Sequence, residues 1–175
     1  NYEFGKETMR GKPVLTENTG NQTSGLDRDY VTQWSYGIGE TWSLMIPNAK
    51  GGASAYIGND NPALENASPR FRSSIAQSNA YWGDQPGTSG PVYVGAIVCF
   101  FFILGLFVVK GKIKWVMLIA TILSILLSWG KNFMGFTDFF LDYFPMYNKF
   151  RAVSMTLVIA EVCMPILAFL ALAEV

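Results

Sequence analysis

PVYVGAIVCFFFILGLFVV, residues 91–109, runs for about 19 positions without a charge, close to the ~20 apolar residues a helix needs to cross a hydrocarbon layer of about 30 Å. A packed soluble helix shows a polar face about every 3.6 residues, whereas Ile97 to Val109 is apolar all the way round. The competing reading is a helix buried in a large soluble core. Lys110-Gly111-Lys112-Ile113-Lys114 follows as a tight turn, and a second apolar run from Trp115 to Trp129 brings the chain back as a helical hairpin. That run is short, so it borrows flanking residues or thins the bilayer locally. A third run, Ala152 to Ala173, holds about 22 residues and is long enough again.

The expected fold is therefore all-α: a polytopic helical membrane protein with three transmembrane helices at about 91–109, 113–129 and 152–173. Residues 1–90 form a large, mostly irregular, short-helical extracytoplasmic loop. Lysine density near span ends marks the cytoplasmic side, and three lysines in the five-residue turn put Lys110 to Lys114 inside. Lys131, Lys149 and Arg151 are spread over the longer opposite connector, so density rather than number sets the orientation. Tyr93, Trp129, Tyr143 and Tyr147 then make an outer aromatic belt, with Trp115 as an inner anchor.

Thirteen basic and thirteen acidic side chains balance, so no bulk charge draws the chain to nucleic acid. Cys99 and Cys163 both fall inside expected spans and read as inert thiols. The absence of histidine removes the commonest general base and metal ligand together. The chain opens at Asn1 without a signal peptide and closes on an apolar run, so it is expected to be an internal part of a larger polytopic protein.

In the outer loop, residues 1–25 are turn-rich, with a short helix expected around Phe4 to Met9. A helix is expected from Ser24 through Ser35, with Ser24 as its cap and Asp27 and Asp29 near the positive end of its dipole. Asp27-Arg28-Asp29 also matches the short Asp-x-Asp pattern that holds a divalent metal; capping is the competing reading, and no metal or other cofactor is assigned. Trp34 to Trp42 gathers aromatics around Glu40 and leads into a short helix, Glu40 to Ile46, stopped at Pro47. Exposed rings beside a carboxylate suit sugar recognition, and a small loop core suits the same residues. Lys50 to Ala63 reads as a loop, Arg70 to Arg72 as a stretch beside head groups, and Asn21 and Asn66 begin formal glycosylation sequons.

Three further stretches carry a resemblance. Tyr81-Trp82-Gly83-Asp84-Gln85-Pro86 with Thr88 to Gly95, Tyr36-Gly37-Ile38-Gly39-Glu40-Thr41 upstream, and Tyr147-Asn148-Lys149-Phe150-Arg151-Ala152 downstream together resemble the YfhO family of bacterial membrane proteins in its Bacteroidetes form. That family is similar to the C-fold (GT-C) glycosyltransferases, which take a polyprenyl-phosphate sugar as donor on the outer face of the cytoplasmic membrane. The resemblance implies a multi-pass inner-membrane glycosyltransferase of the cell envelope with residues 1–90 in the periplasm, and a catalytic carboxylate outside this stretch of chain.

From the residues themselves, the guanidinium of Arg151, aided by Lys149 and Lys131, is a candidate grip on a lipid-linked phosphate; snorkelling to head groups is the alternative. Trp34, Tyr36, Glu40, Trp42, Trp82 and Asp84 are candidate sugar or acceptor contacts. Glu161 is expected about 15 Å deep in the third span, where a carboxylate is costly unless paired or neutral. It shares a face with Ser154, opposite Thr121, Ser124 and Ser128, as part of a polar seam or as an ion site. Asp138 and Asp142 lie on one face of an expected interfacial helix at about 137–144, with Phe139, Phe140 and Tyr143 on others. Acid/base work or metal binding is the alternative for that pair. A non-catalytic scaffold, or a lipid or solute transporter using Glu161, are the competing functions. Expected partners are membrane lipid and a polyprenyl-phosphate-linked sugar.

Overall fold

A computed structural model describes residues 23, 25–90 and 92–175. The expected helix at Phe4 to Met9, the Ser24 cap and the Asn21 sequon lie outside them. The described chain is mostly helical. In order, its elements are α1 (Arg28–Val31), a 3-10 stretch (Ile38–Leu44), β1 (Gly51–Tyr56), a turn at Pro62–Asn66, α2 (Arg72–Ala76) and β2 (Asn79–Tyr81). Then come α3 (Ala96–Val108), α4 (Ile113–Ser128), a turn at Gly130–Phe133, α5 (Met134–Tyr143), turns at Tyr147–Lys149 and Val153–Leu157, and α6 (Val158–Glu174).

α3, α4 and α6 form a bundle, and the described residues before α3 make a polar cap over one end of it. α6 packs along both α3 and α4, which touch each other little, so the lysine turn joins two helices held together by the third. Ala160, Leu167 and Ala171 of α6 are fully buried beside Cys99 and Phe102 of α3. Gly105 sits where a Cβ would come within 2.9 Å of the Leu167 side chain, the close helix approach that small residues permit. α4 and α6 are stitched by polar groups. Ser124 Oγ donates to Thr156 O at 2.7 Å, and Thr156 Oγ1 donates back to Ser124 O at 3.1 Å.

The helical run Val153–Glu174 is, by length and composition, long and apolar enough to cross a membrane. α4 and the helical stretch that follows it would together make a second, but they are bent by 108°. α3 is shorter than the expected span. Residues 92–95 stay extended because the amides of Val94 and Gly95 both donate to Leu44 O, at 3.0 and 2.9 Å, and Gly95 takes φ +111°. The bundle's outer surface is apolar, with Ile97, Phe107 and Phe169 each more than 70% exposed.

The cap differs from expectation in two places. α1 begins at Arg28 rather than after Ser24 and is one turn long, because Asp27 is its N-cap, its Oδ1 accepting from Asp29 N at 2.9 Å. The stretch expected as a loop contains β1, paired antiparallel to β2 with Gly51 opposite Tyr81 and Tyr56 opposite Asn79, and irregular in between. GGASAY has no apolar alternation to announce a strand. Its pairing is completed from outside by Thr88, which accepts from Ser54 N and donates to Ser54 Oγ, both at 2.9 Å.

Candidate functional site

Glu40 lies at the centre of the cap. It is 1% exposed, and its carboxylate accepts from Gly37 N at 2.6 Å, from the Tyr81 hydroxyl and, more weakly, from Asp84 N at 3.4 Å. The Gly37 bond closes a capping box on the 38–44 turn. Tyr36 is equally buried and its hydroxyl pairs with Ser43 Oγ at 2.8 Å. Two of the six candidate sugar contacts, Tyr36 and Glu40, are thus core residues, because a buried carboxylate keeps its place only when its oxygens are hydrogen-bonded. Burial raises the pKa of both Tyr36 and Tyr81; Glu40 accepting from the Tyr81 hydroxyl adds to the rise there.

This cluster joins stretches distant in sequence. Gly37 and Gly83 are the points of contact: a Cβ on Gly37 would meet Asp84 Oδ2 at 2.7 Å, and one on Gly83 would fall on the Glu40–Tyr81 hydrogen bond itself. Asn132, between α4 and α5, donates to both Tyr36 O at 3.0 Å and Asp84 Oδ2 at 3.3 Å. Further bonds seat the cap on the bundle: Tyr36 N to Ser128 O at 2.8 Å, Trp129 Nε1 to Thr41 Oγ1 at 2.9 Å, and Lys131 N to Ser35 Oγ at 2.8 Å.

Of the other candidate contacts, Trp42 and Trp82 are exposed and Asp84 keeps an exposed face. Trp34 donates its Nε1 to Gly87 O at 3.0 Å and turns its ring to Arg151. The guanidinium of Arg151 lies 4.0 Å from the Trp34 ring centroid and 4.6 Å from that of Tyr30, and donates to Gln33 Oε1 at 3.2 Å. The side chain remains exposed, a stacked cation whose orientation is set by two rings. Ala152 follows in the left-handed region at φ +66°, a strained conformation for a residue with a Cβ. Ser154 N then donates to Trp34 O at 3.2 Å, so both sides of Arg151 are tied to α1 and its sequel. Lys149 Nζ lies over Gly25 and Lys131 is exposed beside Ser35.

Glu161 is exposed on the first turn of α6 and lies well inside the continuous helical run Val153–Glu174. It lies near enough to raise the Tyr36 pKa slightly, after the larger effects of burial and of Glu40. The expected polar seam exists, but Ser124 and Thr156 make it rather than Glu161. Thr121 Oγ1 is buried without a partner among the described residues. Asp138 and Asp142 lie on one partly solvated face of α5, and there Arg28 grips both, Nε to Asp138 Oδ1 at 3.0 Å and Nη2 to Asp142 Oδ1 at 2.5 Å. The signal, an arginine in a one-turn helix 110 residues away, is not a local one.

Two cavities of about 380 Å³ border the cap. One is apolar, lined by Thr41, Trp42, Leu44, Met45, Cys99 and Met164, where the 38–44 turn meets α3 and α6. The other is polar, beside the Pro62–Asn66 turn; Arg72 in its wall is committed to the carbonyls of Ala67 and Glu65, at 3.0 and 2.9 Å.

No protein family, curated protein or solved structure matches the chain. The site is therefore characterised by its own geometry: a cap glued by Glu40, carrying an arginine on an aromatic platform at the mouth of a helical bundle.

Tyr147 supplies a test of that packing. Its ring belongs to the cluster of Leu26, Val31, Leu141 and Val153, and its hydroxyl is buried with no partner among the described residues. Burial pushes its pKa up to about 12. The folded-state value lies above the ordinary tyrosine value of about 10, so this contribution to stability is complete below pH ~10 and is lost as pH rises toward 12. Tyr147→Phe, which removes an unsatisfied buried hydroxyl, is expected to be neutral or stabilising by up to about 1 kcal/mol, and to flatten the alkaline limb of a pH–stability curve. A loss of more than ~1 kcal/mol would show that the hydroxyl has a partner.

Proposed function

We propose that the chain is part of a multi-pass inner-membrane protein in which α3, α4 and the Val153–Glu174 run are the membrane-crossing elements and the cap stands on the outer, periplasmic face. Its function in this reading is glycosyl transfer from a polyprenyl-phosphate sugar to an extracytoplasmic acceptor, with Arg151 as the grip on the donor phosphate. What supports this most is the Arg151 geometry: a guanidinium held over the rings of Trp34 and Tyr30 yet exposed, at the end of the bundle where a lipid head group would sit. A fixed fork loses little freedom on accepting a phosphate. The apolar surface of the bundle supports the membrane placement, and the resemblance to the YfhO family supplies the reaction class. Exposed Trp42, Trp82 and Asp84 are left to meet sugar or acceptor.

The test is transfer from a radiolabelled polyprenyl-phosphate sugar in proteoliposomes containing the full-length protein. Arg151→Ala removes a hydrogen bond to a charged group, on the order of 1.5–3 kcal/mol, and is expected to cut transfer about 10- to 100-fold without changing the elution profile in detergent. Arg151→Lys keeps the charge but not the fork and falls between. Transfer unchanged in Arg151→Ala removes Arg151 from the donor site, and no transfer in the unsubstituted protein removes the enzyme reading.

A further inference from the structure

We propose that α5 lies in the plane of the membrane surface, its aromatic face immersed in lipid and its acidic face turned up to the cap. At about 100° per residue, Thr137 and Leu141 share one edge of α5, and both are buried. Asp138 and Asp142 follow on the next edge. Phe136, Phe139, Phe140 and Tyr143 occupy the other side and Phe144 follows the helix, with Phe139, Tyr143 and Phe144 each more than half exposed.

These rings form a continuous ladder. Phe136 and Phe140 are 5.0 Å apart between centroids, Phe139 and Tyr143 5.4 Å, and Phe140 and Phe144 5.6 Å. Phe133 continues the ladder to Trp129 at the end of α4, at 6.2 Å. The ladder therefore reaches the end of α4, where Trp129 also donates to Thr41 Oγ1.

Two observations fix the direction. α5 leaves α4 at 108°, so a helix α4 that stands across the bilayer lays α5 along its surface. Arg28 belongs to the cap and bonds both acids, so the acidic face is the cap side, leaving the exposed rings of Phe139 and Tyr143 to face the depth into which α4 descends. Amphipathic helices with a large aromatic face bind at this boundary, apolar side down. The partner is the lipid interface itself. The proposal rests on the membrane placement given under Proposed function and not on glycosyl transfer.

Spin labels on cysteines introduced singly at Phe139 and Tyr143 test it, in the full chain reconstituted in phospholipid vesicles. Cys99 and Cys163 are buried, so labelling of the unsubstituted chain serves as background. Collision with oxygen, which concentrates in lipid, is compared with collision with a water-soluble nickel chelate. Phe107→Cys on α3 is the lipid reference and Tyr56→Cys on β1 the water reference; both side chains are more than 70% exposed.

Oxygen-favoured labels at 139 and 143, matching position 107, are the expected result. Chelate-favoured labels there, with 107 oxygen-favoured, overturn the interfacial helix and leave the membrane placement standing. Labels at 139 and 143 shielded from both reagents overturn it too, showing that protein covers the face. Position 107 behaving like position 56 overturns the membrane placement and the helix assignment together.

Discussion

Glu40→Ala is expected to lower the stability of the protein by roughly 3–5 kcal/mol, since it strands the Gly37 amide and the Tyr81 hydroxyl in a buried site, at about 1–3 kcal/mol for each buried donor. Both donors are well placed: Gly37 N at 2.6 Å and the tyrosine hydroxyl against Oε1. The loss also opens the capping box of the 38–44 turn, whose Leu44 carbonyl anchors the entry to α3. The damage should therefore reach the bundle. A graded series separates hydrogen bonding from volume. Glu40→Gln keeps the shape and one acceptor oxygen and should cost about 1 kcal/mol, with Tyr81→Phe between the two. Gly83→Ala, whose added carbon falls on the Glu40–Tyr81 bond, should approach Glu40→Ala although it deletes nothing. Thermal unfolding in detergent, followed by near-ultraviolet circular dichroism, reads the series. A loss below ~1 kcal/mol for Glu40→Ala would mean that water reaches the carboxylate and that the cap is not built around it.

Gly130→Val is expected to cost a similar amount for a different reason. Gly130 is the pivot of the 108° bend and takes φ +45°, a left-handed conformation that costs a residue with a Cβ about 1–2 kcal/mol. Its missing Cβ is also where the Ser35 hydroxyl and a Val153 methyl sit. Ser35 Oγ accepts from Lys131 N at 2.8 Å, so displacing it undoes the joint between cap, α4 and α5 at once. Strain and overpacking, the latter typically ~1–3 kcal/mol, together give roughly 3–4 kcal/mol. Gly130→Ala should lose less, by relaxing around one carbon. Gly135→Ala is the contrast: Gly135 lies inside α5 with open space around it, and alanine there should gain up to about 1 kcal/mol by helix propensity. Opposite signs at two glycines five residues apart would establish that position 130 is a hinge and position 135 is not. Equal effects would argue that the bend is carried elsewhere.

Much of this architecture can be read locally. The lysine turn between α3 and α4, the Ser124 seam on α4 and the single face of Asp138 and Asp142 follow from helical spacing, which is a property of neighbours in sequence. Glu40 was legible as a central residue of its stretch, but its role was not: exposed sugar contact and buried hydrogen-bond centre have the same local signature, aromatics and glycines around an acid. Tyr81, 41 residues on, decides between them. The β-hairpin was invisible because Gly51 to Tyr56 lacks alternation and is held by partners at Asn79 to Tyr81 and Thr88.

Hydrophobic runs, helix period and turn chemistry thus specify a mostly helical chain with an apolar half and a polar half, because solvent preference and backbone geometry act over a few residues at a time. Which charges are gripped, where α3 begins, how sharply the chain turns at Gly130 and whether an acid faces water or a tyrosine were decided by tertiary contacts. Each of those outcomes depends on a hydrogen bond or a steric limit supplied by a residue far away in the chain, and no local pattern encodes the partner.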